Sequence, residues 1–211
     1  MSTSTNLMEL LQQQLLQNDT VVETLSQQLG GVEKEKAATA AQTAITALVT
    51  SLAKNATRPE NANDLLQAID RDHDGSLLDH AMEYFSGQFQ PSNPKTTDGA
   101  GILRHLLGDR KDTIAKVVAE TSGLEPEKGS SLLEMLAPVV MGALGKTRRE
   151  AGFGLDDIVQ MLTGTVQQQK GSNPAMDMIT RFLDQDGDGS AMDDIAGMGM
   201  RILGNLFGGK K

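Results

Sequence analysis

Shifted by 92 residues, this chain lies over itself. The phrase GVEKEK at 31–36 falls on GLEPEK at 123–128, Leu48 falls on Val140, and LAK at 52–54 falls on LGK at 144–146. A chain made of two diverged copies of one unit must fold each copy alike and pack the two together. Both copies read as helix. Over 6–29 the residues Leu7, Leu10, Leu11, Leu15, Val21, Val22, Leu25 and Leu29 keep helical spacing, cut into two helices near Asn18 and Asp19 and ended by Gly30 and Gly31. Over 36–54 a stripe of Ala41, Ala44, Ile45, Leu48 and Leu52 predicts a helix whose small residues admit close neighbours. Residues 55–63 are expected to form a loop.

Short apolar helices are expected over 64–69 in the first copy and 156–162 in the second, which also carries an extra TGTVQQQKGSNP before its final section. Asn173 before Pro174 is an N-cap followed by proline at the first helical position. Pro138 is expected to kink its helix or begin it afresh, having no amide hydrogen to give. No alternating strand pattern is visible. With five Phe, one Tyr and no Trp, the core must be aliphatic, and that favours helices over sheets. The predicted fold is all-α: two copies of a helical unit, each ending in a helix-loop-helix segment. The first repeat spans 1–90, a linker rich in Pro, Gly, Asn and Thr spans 91–100, and the second repeat spans 101–211.

Two segments carry chemistry. DRDHDGSLLD at 70–79 and DQDGDGSAMD at 184–193 both read D-x-D-x-D-G-S-x-x-D, each after a short apolar helix. A loop wound round a hard cation turns alternate side chains inward, so Asp70, Asp72 and Asp74 in the first loop, and Asp184, Asp186 and Asp188 in the second, are candidate ligands. Glycine at position 6 makes the sharp turn, and Ser76 and Ser190 offer their carbonyl oxygens at position 7. An EF-hand closes with a bidentate Glu at position 12, where this chain has Ala81 and Ile195. The closing acids are therefore expected at position 10, Asp79 and Asp193, with Asp194 an alternative in the second loop. These shortened loops resemble those of EF-hand-like extracellular bacterial modules. The expectation is two calcium ions; the plainer reading of such a loop is an Asp-rich helix-capping turn. Without these eight carboxylates the net charge of -9 would be -1, so the acidity is concentrated in the loops. Metal-free, they are expected to be loose, since clustered carboxylates repel. His73, at position 4, is expected to face solvent.

The phrases AITALVTSLAKNATRPENANDLLQAI at 44–69, APVVMGALGKTRREAGFGLDDIVQML at 137–162 and RILGNLFGG at 201–209 resemble the YidB-like family of bacterial proteins of unknown function. The resemblance covers most of the chain. It implies a helical fold and a bacterial source, and brings no activity with it.

Several classes are disfavoured. The negative charge argues against nucleic acid, and the basic knots are only Lys146, Arg148, Arg149 and the terminal Lys210 and Lys211. Absence of cysteine removes thiol nucleophiles and zinc fingers. No secretory signal or membrane span is read, and the chain is expected to be cytoplasmic. GMGMRILG at 197–204 follows no strand and lacks the phosphate-loop lysine, and no serine sits in a nucleophile elbow. The expected function is a non-enzymatic calcium-binding protein in a structural or protein-interaction role. Two alternatives stand beside it: a calcium sensor presenting the methionine-rich C-terminal helix 191–207 to a protein or lipid partner, and a hydrolase with structural calcium. Nothing opposes a homo-oligomer.

Overall fold

The computed structural model describes residues 7–169 and 174–183, and among these it is all-helical with no strand. The first helix, α1 (Leu7–Leu11), runs into a π-helical turn, Gln12–Leu16. Next, α2 (Asp19–Gln28) opens on Asn18, whose side chain accepts the amides of Thr20 and Val21 at 3.1 and 3.3 Å. This is the break read near Asn18, and an asparagine cap is its physical cause. Two long helices follow at intervals, α3 (Lys34–Ala56) and α9 (Pro126–Ala151). Between them lie α4 (Pro59–Asp72), α5 (Ser76–Asp79), α6 (Ala81–Phe85), a 3-10 turn Pro94–Thr97, α7 (Gly99–Leu107) and α8 (Lys111–Ser122). The described chain closes with α10 (Leu155–Gln169) and α11 (Pro174–Leu183).

The long helices pack against each other, and the rest is arranged round them. Helix α8 lies against both, α7 and α5 lie on α9, and α10 and α11 lie on α3. A single apolar cluster runs through all of these elements and joins residues from both halves of the chain. Being covered on several sides, α3 is buried nearly all round, from Ala40 to Ala53, and α9 likewise from Leu136 to Gly145. Such helices can hold hydroxyls only if each is satisfied locally. Thr46, Thr50 and Ser51 donate to the carbonyls of Gln42, Thr46 and Ala47 at 2.7–2.8 Å, and Thr147 donates to Ala143 at 2.9 Å.

Close approach replaces aromatic bulk. A β-carbon on Gly99 would stand 1.9 Å from the Glu134 carbonyl oxygen, so α7 crosses α9 at a distance that only glycine allows. On the other side of α9, a β-carbon on Gly129 would stand 2.3 Å from the Ala115 carbonyl of α8.

Three expectations are corrected. The loop over 55–63 is two residues, Thr57 and Arg58, because Pro59 takes the first position of α4, where a missing amide hydrogen costs nothing. The linker 91–100 is not wholly irregular. It holds the 3-10 turn, and Asp98 caps α7 by accepting the Gly101 amide at 2.8 Å, which lets Gly99 and Gly101 enter a helix. Finally, α9 does not begin afresh at Pro138 but runs through it. Pro138 is itself buried among Leu136, Ala137, Val139 and Val140, and packing on both flanks outweighs the one hydrogen bond that proline forgoes. The cap at Asn173 and the C-terminal helix 191–207 lie outside the described residues.

Glycine's role at the crossings predicts opposite effects at two positions. Gly145→Ala, whose β-carbon would stand 1.7 Å from the His73 carbonyl oxygen, should lower stability by at least about 1–3 kcal/mol in urea unfolding. Gly164→Ala in α10, which would meet nothing within 4 Å, should raise it by about 0.5–1 kcal/mol. Equal effects would refute the packing account.

Candidate acidic loop site

The first acidic segment straddles the end of α4, a three-residue connection and the short α5. Helix α4 stops at Asp72, with the His73 amide donating back to Ile69 at 3.1 Å. Gly75 then adopts φ +93°, the left-handed conformation that position 6 of the pattern requires. Asp74 closes the turn by accepting the Ser76 amide at 3.0 Å, and α5 begins at Ser76. The exit helix does start early, as a closing acid at position 10 would need.

The loop is pressed onto α9. Besides the close contact of Gly145 with the His73 carbonyl, a β-carbon on Gly75 would stand 2.7 Å from the Lys146 backbone nitrogen. These contacts bring the loop to the one basic knot in the middle of the sequence. Arg148 Nη2 donates to Asp70 Oδ2 at 2.7 Å and Lys146 Nζ to Asp79 Oδ1 at 2.6 Å. Asp72, nearly fully buried, accepts Arg71 Nε and Nη2 at 2.7–3.1 Å and Asn93 Nδ2 at 2.8 Å. Thr96 donates its hydroxyl to the Asp72 carbonyl at 2.9 Å, so the segment between the two halves is fastened to this loop.

Each of the four carboxylates thus turns to a different partner. Among the described residues, no three metal-binding side chains gather at one point. The donor chemistry, all carboxylate and carbonyl oxygen, suits calcium, but the arrangement holds cations of the chain itself where a calcium ion would need the oxygens to converge. Asp184, Asp186, Asp188, Ser190 and Asp193 of the second loop lie outside the described residues, as does Asp194.

His73 is the clear reversal. It is only 4% exposed rather than turned to solvent, and its Nδ1 has no hydrogen-bond partner. Burial lowers its pKa below the usual histidine value, against the raising influence of Asp72 and Asp74. Alternation along a short loop says nothing of neighbouring elements, and here the His73 backbone carbonyl lies against Gly145 of α9 while the residue lines the cleft beside α4 and α7. His80, by contrast, is exposed and pairs with Glu83 at 2.6 Å.

The groups that the sequence reading passed over are Lys146, Arg148, Asn93 and Thr96. The first two were visible as a basic knot, but nothing local joins them to an acidic loop some 70 residues earlier. A cleft of about 500 Å³ adjoins the site between α4 and α7, lined by Leu65, Ile102 and Met141 together with Arg71, Lys95 and His105.

Taken together, the structure defines an all-helical protein built on two long buried helices, with an acidic loop docked on a basic stretch of the second. The chain belongs to a family described as bacterial protein of unknown function, DUF937, whose model matches residues 9–147 and 155–211. No curated protein and no solved structure matches it.

The site's charges set a pH dependence. Arg71, then Asn93 and the charge of Lys95, hold Asp72 down at about 2, and Lys146 and the Ser76 hydroxyl and amide likewise lower Asp79 and Asp74. A depressed folded-state pKa contributes stability above the unfolded value near 3.9 and loses it as pH falls through the folded one. The urea midpoint should therefore fall from about pH 4 towards about pH 2, and Asp72→Asn should flatten that slope. An unchanged slope in Asp72→Asn would contradict the assignment.

Proposed function

We propose that this chain is a non-enzymatic calcium-binding helical protein with a structural or protein-interaction role, and that each acidic loop takes one ion. The observation that carries this reading is the D-x-D-x-D-G-S-x-x-D pattern occurring twice, with the first copy's Gly75 left-handed at position 6 and its exit helix beginning at Ser76. The ligands are Asp70, Asp72, Asp74, the Ser76 carbonyl and Asp79, and in the second loop Asp184, Asp186, Asp188, the Ser190 carbonyl and Asp193. Within the family, we read the apolar phrases at 44–69, 137–162 and 201–209 as a likeness to the YidB-like proteins.

The internal duplication belongs to the same reading. Helices that begin at Asp19 and Lys34 are matched 92 residues later by helices that begin at Lys111 and Pro126. The turns ahead of the two long helices also face one shallow hollow, lined by Gly31, Val32, Glu33 and Lys36 and by their counterparts Gly123, Leu124, Glu125 and Lys128. Each turn carries the same ion pair, Lys36 with Glu33 and Lys128 with Glu125, both at 3.4 Å.

Isothermal titration tests the proposal. Two calcium ions per chain are expected, preferred over magnesium, with one lost in Asp74→Asn and the other in Asp188→Asn. Saturating calcium at 100 times its dissociation constant should stabilise the fold by about 2.7 kcal/mol per site, so chelator should lower the melting temperature by several degrees. No calcium heat at millimolar concentration, together with a melt that chelator leaves unchanged, would remove the reading.

A further inference from the structure

Helices α4 and α7 both pack on α3 and α9 but scarcely touch each other. They run antiparallel, because each end is tied across. Asn93 and Thr96, just ahead of α7, bind Asp72 at the end of α4, and Asn55, just ahead of α4, donates to the Leu106 carbonyl near the end of α7 at 3.1 Å. The cleft of about 500 Å³ is the gap left between the two helices, and its size is ordinary for a small-molecule site. Leu65, Ala68, Ile102 and Met141 make its lining partly apolar. At the loop end His73 lines it too. That ring is 4% exposed and its Nδ1 finds no partner in the protein, the mark of a buried polar group that something else completes.

The unspent charges lie at different places along the cleft. Arg71 is engaged by Asp72, and Asp98 by the Gly101 amide. Lys95 and Asp64 remain, and neither side chain has a hydrogen-bond or ion-pair partner among the described residues. Lys95 stands at the loop end, where its charge helps to hold Asp72 ionised. Asp64 lies seven residues before Arg71 on α4, and so about 10 Å back along the cleft.

We propose that this cleft binds a short peptide with free ends, its carboxylate on Lys95, its ammonium on Asp64 and its aliphatic side chains against Leu65 and Ile102. An extended tripeptide holds its terminal charges about 10 Å apart, which matches the spacing of the two free side chains. A purely anionic ligand would leave Asp64 unanswered, and the charges of a single amino acid are too close together to reach both. Each inner peptide group carries a donor and an acceptor, so the unpaired Nδ1 is answered whichever tautomer His73 adopts. Nothing in this site depends on calcium.

The test is isothermal titration of the full-length chain in chelator at neutral pH, with alanyl-leucyl-alanine as the probe. One site with a dissociation constant of about 0.1 mM is expected. Acetylating the peptide's amine, or amidating its carboxylate, should each weaken binding about fivefold. Lys95→Gln should weaken the free peptide about fivefold and leave the amidated peptide unchanged, and Asp64→Asn should do the same with the acetylated one in place of the amidated. Both residues are exposed, and circular dichroism checks that the variants fold. If either does not, the free and blocked peptides on the wild type decide the matter. Absence of heat at millimolar peptide, blocked peptides that bind as well as the free one, or variants that weaken free and blocked peptides alike would each overturn the proposal and leave the calcium reading standing.

Discussion

The close packing of α3 against α9 is the constraint on which the rest depends. A chain so poor in aromatic residues cannot fill a core with large rings, so it brings helix backbones together over alanine, glycine and short hydroxyl side chains. Dispersion between atoms at such short range then replaces the bulk that aromatics would supply. The requirement propagates outward. Because both long helices are covered on several sides, their threonines and serines must satisfy themselves within the helix, and their neighbours must cross at glycines such as Gly99 and Gly129.

The same rule places the acidic loop. Gly145 on α9 has no side chain to keep the His73 carbonyl away, and the residues that follow it, Lys146, Arg148 and Arg149, are the ones whose charges the loop answers. Backbone contact and ion pairing fall within one turn of helix. A loop whose own residues read as a cation cage is, in this setting, an anionic plug for a basic helix end.

Much of the fold was legible in the sequence because it is written in local terms. Helical spacing placed the elements, Asn18 marked a true break, and the lack of strand pattern and of aromatics pointed to an all-α chain. The misses were places where a distant element decides. Pro138 survives inside α9 because neighbours on both flanks hold the helix together. His73 is buried where the loop packs into the fold, and no pattern within 70–79 could show that burial. Pro59 was read as loop although proline at a first helical position is a local signal. At the site, the residue types and their spacing were legible, whereas the cations that answer them lie far along the chain and were visible only as an unexplained basic knot.

The central claim is that the acidic loop is docked on α9 by backbone contact at Gly145 and by ion pairs, and a double-mutant cycle on Lys146 and Asp79 addresses it directly. Urea unfolding of the wild type, Lys146→Gln, Asp79→Asn and the double variant would be measured at neutral pH in chelator. The pair should show a favourable coupling of about 0.2–1 kcal/mol, as expected for a partly exposed ion pair. A coupling of zero or of the opposite sign would contradict the account.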